Sequence, residues 1–161
     1  MDKLKVLLWV VSILIFSMIF TAVNSSAKAH IVSSNGQTVY VPAYSHIYIG
    51  DRERAFLLAV TLSIRNTDSA NPIIVEKVSY YSSDGKLLEE YIDRPVTVEK
   101  ISAMRFIVRE SDKSGGSGAS FIVEWRSEKS VTSPVIETIM IGAQTQQGIS
   151  FTSRGQVIRE K

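Results

Sequence analysis

Phe121, Val123 and Trp125 alternate with Ser120, Glu124 and Arg126 directly behind a glycine-rich loop, Ser114-Gly115-Gly116-Ser117-Gly118. Side chains two apart share one face of a strand, so this period predicts a half-buried strand with three large apolar groups inward. Only Ile122 breaks its outward polar row. The glycines permit the positive φ that a tight re-entry into a sheet demands. The same period recurs in Leu58, Val60, Leu62 and Ile64, and again in Met104, Phe106 and Val108. No stretch after residue 29 holds a helical period through three turns, so the chain is committed to sheet.

Residues 1–29 read as a secretory signal segment outside the fold. Lys3 and Lys5 form a basic start, Val6 to Phe20 an apolar run broken only by Ser12 and Ser17, and Ala27-Lys28-Ala29 a small-x-small cleavage site. The alternative is an uncleaved anchor, because residues 6–23 approach the length that spans a bilayer core of roughly 30 Å. The first reading implies a periplasmic or secreted protein, the second one held to a membrane only through that segment. Lys3, Lys5, Lys28 and Asp2 together account for the formal net charge of +2, so the remainder is neutral. A nucleic-acid partner, which needs a basic stripe, is therefore not expected. The 161 residues include no cysteine, which excludes disulfides, thiolate nucleophiles, cysteine-based zinc sites and acylation of a new amino-terminal cysteine.

Residues 30–36 are polar and patternless and read as a flexible leader, which leaves 37–161 as one folded domain. Between Val39 and Ile49 the odd positions are mostly apolar, giving two strand pieces. Pro42 cannot donate to a ladder and marks the first piece as an edge strand. Gly50 to Arg54 is a charged turn. Asn66 to Pro72 is rich in side chains that bond their own backbone and should reverse the chain. Ile73 to Tyr81 alternates loosely, which predicts a bulge or burial on both faces. The Asp84-Gly85 pair predicts a hairpin, and Asp93-Arg94-Pro95 should break the returning strand. Ser127 to Pro134 reads as a polar connection, Val135 to Ile141 as a strand, and Gly148 to Ile158 as a glycine-bracketed hairpin that caps the domain. The expected fold is all-β, a single β-sandwich of about seven to nine strands with immunoglobulin or fibronectin type III architecture and Trp125 filling the inter-sheet space.

Catalytic constellations are poorly supplied. Outside the signal segment the histidines are His30 and His46. His46 and Asp51 with a loop serine could be drawn as a triad, but residues 115–119 do not form the G-x-S-x-G nucleophile turn. The loop also lacks the Gly-Lys-Ser/Thr ending of a phosphate-binding loop and enters a strand instead of a helix. His46, Asp51 and Glu53 offer one nitrogen and two carboxylates near one turn, a poor zinc set. Glu89 and Glu90 are adjacent in a strand and point to opposite faces, so they cannot act as a facing pair. No catalytic residue, metal or cofactor is expected. What remains is an aromatic stripe, Tyr40, Tyr44, His46 and Tyr48, whose polar-tipped rings either pack beneath the carboxy-terminal hairpin or form a partly wet surface for a glycan, peptide or partner domain. Packing is the leading reading for the stripe, and chain guidance the leading reading for the glycine loop. The binding alternative would use Tyr44, His46 and Tyr48 together with Ser114, Gly116 and Ser117.

The words Val39-Tyr40-Val41-Pro42-Ala43-Tyr44-Ser45-His46-Ile47-Tyr48, Leu62-Ser63-Ile64-Arg65-Asn66-Thr67-Asp68, Tyr80-Tyr81-Ser82-Ser83-Asp84-Gly85-Lys86-Leu87, Ser114 to Trp125 and Gln147-Gly148-Ile149-Ser150-Phe151 resemble a bacterial family of exported proteins catalogued as domain of unknown function 3124. The resemblance spans nearly all of Gln37 to Ile158. It implies export and a single domain, and it brings no catalytic or binding residue with it. The expected function is a non-enzymatic binding or interaction module of the cell envelope, with an envelope protein or glycan as partner. The alternatives are a hydrolase using His46 and a structural subunit of an envelope complex.

Overall fold

The structure, a computed structural model, describes residues 2–3, 33–51, 53–143 and 148–161. The chain divides into Met1–Ile31 and Val32–Lys161, and the fold described is that of the second unit. The expected signal segment, its alternative as an anchor over 6–23, and His30 lie outside the described residues, apart from Asp2 and Lys3. Among the described residues no helix is long and apolar enough to cross a membrane.

The domain is all-β, with two antiparallel sheets packed around one core. The first sheet joins β1 (Ser33–Pro42), β5 (Ile73–Tyr81), β6 (Leu87–Glu90), β7 (Val96–Val98), β9 (Ser120–Thr132) and β12 (Gln156–Glu160). Its order is β12-β1-β9-β5-β6, with β7 on the same edge of β5 as the continuation of β6. The second sheet orders β11 (Ile149–Arg154), β10 (Val135–Gly142), β4 (Ala59–Arg65) and β8 (Ala103–Val108). β2 (His46–Ile49) and β3 (Arg54–Leu57) form a separate hairpin. Twelve strands are thus described, more than expected, because the β2–β3 hairpin stands apart and Asp93-Arg94-Pro95 cuts one edge strand into two. The layers are those of the anticipated sandwich. The order is not the immunoglobulin order, in which the first strand pairs the second; here β1 lies between β9 and β12.

Burial follows the sequence period closely. Phe121, Val123 and Trp125 are fully buried, as are Val60, Leu62 and Ile64 of β4 and Met140 of β10. The loose alternation of β5 has the anticipated cause: its register against β9 shifts between Val75 and Lys77, so Glu76 is an extra residue and both Val75 and Val78 turn inward.

Four expectations are corrected. The leader is shorter than 30–36, because Ser33 and Ser34 already pair with Thr132 and Val131 of β9. The same pairing makes β9 run through Ser127 to Thr132, where a connection was expected. Between Ser34 and Gly36 the register skips from Val131 to Arg126, so Ser127 to Ser130 stand as inserted residues without a β1 partner, hence their polar composition. β1 is an inner strand despite Pro42, whose missing N–H is tolerated because the ladder with β12 ends at Tyr40. Finally, β11 and β12 are not a hairpin. β11 pairs β10 in the second sheet, β12 pairs β1 in the first, and the chain crosses between the layers at Gly155. A Cβ there would lie 2.6 Å from Val39 Cγ1 and 3.0 Å from the Ile136 carbonyl, so only glycine fits this path.

One end of the sandwich is tied together by two side chains of the Asn66–Pro72 reversal. Asn66 is buried; its Nδ2 donates to the carbonyls of Asn71, Val98 and Glu99, and its Oδ1 accepts from the Asp68 N–H. Asp68 accepts backbone N–H bonds from Ala70 and Asn71 on Oδ1 and from Thr132 on Oδ2. The bond from Ala70, followed by those from Thr132 and Asn71, holds the carboxyl below its ordinary value of 3.8. A carboxyl depressed in the folded state contributes stability that is present above its unfolded pKa and lost as pH falls through the folded one. Asp68→Asn is therefore expected to lower the melting temperature at neutral pH, and the gap from wild type to narrow below roughly pH 4. Melting curves across pH 2–7 check this.

Candidate binding surfaces

The glycine loop is a bracket between two other connections. Ser45, between β1 and β2, donates both its N–H and its hydroxyl to the Gly116 carbonyl, at 3.1 and 3.0 Å. Ser83, in the β5–β6 turn, does the same to the Gly115 carbonyl at 2.8 and 3.0 Å, and its Oγ accepts the Gly118 N–H at 2.8 Å. Ser114 turns its hydroxyl and N–H to Asp112 Oδ1. Gly116 has φ 79, the anticipated positive value. Gly116→Ala should therefore cost about 1 kcal/mol or more, whereas Ser117→Ala should be nearly neutral, as read from denaturant midpoints.

Gly115 is flush with the floor beneath it, where an added Cβ would overlap Tyr80 Oη. That hydroxyl is buried with no hydrogen-bond partner among the described residues, and burial pushes its pKa up to about 12. An unpaired buried hydroxyl opposes folding, so Tyr80→Phe should be neutral or stabilising by up to about 1 kcal/mol. A loss of more than that in chemical denaturation would show that the hydroxyl is bonded after all.

The aromatic stripe is divided. Tyr44 is half-buried and packs on Phe151 of β11 with ring centroids 5.9 Å apart, so it does lie against the carboxy-terminal segment. His46 and Tyr48 sit on one side of β2, edge to face at 5.1 Å, with Tyr48 56% exposed. Tyr40 faces out from β1 in the first sheet. The loop and the stripe do adjoin, because Gly116 bonds Ser45 between Tyr44 and His46. Among the described residues, two concavities lie elsewhere, the first of them shallow. One, of about 450 Å³, is lined by Ile49, Gly50, Asp51 and Arg54 at the tip of the β2–β3 hairpin. The other, of about 320 Å³, lies at the Asn66 end between Asn71, Pro72, Ile74, Thr97 and Ser127 to Lys129.

His46 pairs with Leu57 at the base of the β2–β3 hairpin, while Asp51 and Glu53 lie beyond its tip. Three residues of strand separate base from tip by about 10 Å, so histidine and carboxylates do not meet. Among the described residues no group of three metal-capable side chains gathers.

Sequence reasoning did not find the lateral side of the sandwich formed by β6, β7 and β8. β8 is the last strand of its sheet and pairs only β4 among the described strands. Its inward Met104 and Phe106 are only half-buried, although their cross-strand neighbours Ile64 and Leu62 are fully buried. Tyr91, just after β6, fills the seam behind, its ring 5.2 Å from Phe106 and 5.7 Å from Phe121. The outward Arg105 and Ile107 of β8 are exposed, Ile107 by 54%. The half-burial signal was present in the sequence only as an alternating strand like any other.

The profile of a family described as "Protein of unknown function (DUF3124)" matches residues 36–158. No curated protein matches the chain. A solved structure titled "Crystal Structure of Thermotoga maritima 1070" is similar over 78% of this chain and 97% of its own, with 13% identity and a TM-score of 0.45.

Proposed function

The chain belongs to the DUF3124 family of proteins of unknown function, and from that premise we propose that it is an exported, non-enzymatic interaction module of the cell envelope, binding an envelope protein or glycan. The observation that carries the reading is the use made of the hydroxyls around the glycine loop: those of Ser45 and Ser83 hold separate loops together, and that of Ser114 bonds Asp112 within its own loop. Their bonds go to backbone carbonyls and one exposed carboxylate, and none is to an imidazole that could act as base. The amino-terminal pattern supports export. The test is affinity capture by the tagged full chain from an envelope extract of cells that make it, followed by reconstitution with purified material. Recovery of one partner that rebinds stoichiometrically is the expected result. Failure of every captured protein and envelope glycan to rebind would remove the reading.

A further inference from the structure

Resting on that reading, we infer that the open edge of β8 is the docking site for an extended strand of a partner protein, one that alternates acidic and apolar side chains. An end strand presents unpaired N–H and C=O groups, and adding a strand there satisfies them while neighbouring side chains select the sequence. β8 has the features such an addition needs. It is six residues long and carries no proline, and its pairing with β4 runs without a register shift from Val108 to Ala103. Its inward side offers Met104 and Phe106, half-buried where the adjacent strand is sealed, so an incoming apolar side chain would complete the core face. Its outward side offers Ile107 and Arg105. The cross-strand neighbour of Arg105 is Ser63, and among the described residues Arg105 makes no ion pair.

Charge and burial together distinguish this edge from the other end strands of the two sheets, β6, β11 and β12. β12 places Arg159 opposite Thr38, but all five of its residues are exposed, so it offers no half-sealed apolar side. β6 carries Glu89 and Glu90, with Glu90 paired to Lys77. β11 places its Arg154 opposite Glu137. β8 alone among these joins a cation without a cross-strand carboxylate to a half-buried apolar inward face, so an acidic residue on the incoming strand gains a partner at Arg105 and a basic one is repelled. Tyr91, between Phe106 of β8 and Phe121 of β9, fills the seam toward the first sheet, so the added strand would extend the sheet at β8 and not wedge between layers.

The experiment uses the full chain with two dye-labelled hexapeptides, one alternating valine with glutamate and the other valine with lysine, followed by fluorescence anisotropy at low salt. The glutamate peptide is expected to bind roughly tenfold more tightly. Arg105→Glu should invert that preference, and its unchanged melting temperature would confirm an intact fold at this exposed position. Phe106→Ser should weaken both peptides. Equal affinity for the two peptides, an unchanged preference in Arg105→Glu, or no binding by either at millimolar concentration would each overturn the inference. So would a β8-mediated dimer in sedimentation that Arg105→Glu dissociates, since the edge would then be taken by a second copy. Those failures are separable from failure of the general reading, because affinity capture can succeed through another surface.

Discussion

Trp125→Ala is expected to lower the unfolding free energy by about 3–5 kcal/mol, the range for deleting a large ring from a sealed core. The ring is fully buried between the sheets, and its Nε1 makes no hydrogen bond among the described residues, so the loss comes from packing and the cavity left behind. Its neighbour Glu124 faces outward and meets Lys161 at 2.9 Å in a partly exposed ion pair. Such pairs contribute under about 1 kcal/mol, so Glu124→Ala should be mild by comparison. Urea titrations of both variants check the contrast. Equal, small losses would mean that the inner and outer faces of β9 are exchanged, since a one-residue slip reverses every side chain.

The second large effect belongs to Gly155. Alanine there would press its Cβ against Val39 Cγ1 and the Ile136 carbonyl, with Val41 Cγ2 at 3.2 Å. Valine adds two methyl groups to the same space. Gly155→Val should therefore cost about 3 kcal/mol, at the upper end of ordinary overpacking, because the crossover cannot move without dragging β1 or β10. Its N–H also donates to the Ile136 carbonyl at 2.8 Å, a bond the displaced backbone would strain. A variant that melts like wild type would show that β11 and β12 are joined in some other way.

These two residues mark what was legible in the sequence. Trp125 could be placed from its neighbours alone, because a two-residue period states which face a side chain occupies. The extra residue in β5 was also visible, since a bulge leaves an uneven run of apolar groups. Gly155 was not legible. A glycine between two short strands has the same local signature in a hairpin and in a crossing between layers, and contacts with Val39, Val41 and Ile136 decide which it is. Asn66 and Asp68 were recognisable as turn residues, but their distant partners, Val98, Glu99 and Thr132, belong to the tertiary fold. The positive φ of Gly116 could be foreseen, while the serines that clasp the loop, Ser45 and Ser83, come from separate turns. Strand order carries no local signal at all, which is why the edge position of β8 and the half-burial of Phe106 had to come from the structure.

The central claim is that this domain acts by presenting surfaces and not by performing chemistry at His46. Its most direct test is a turnover assay of the purified chain on ester, glycoside, peptide and phosphate substrates, run beside His46→Ala. The account predicts that both proteins stay at the buffer background throughout. Turnover by wild type that disappears in His46→Ala, with the melting temperature unchanged, would contradict it.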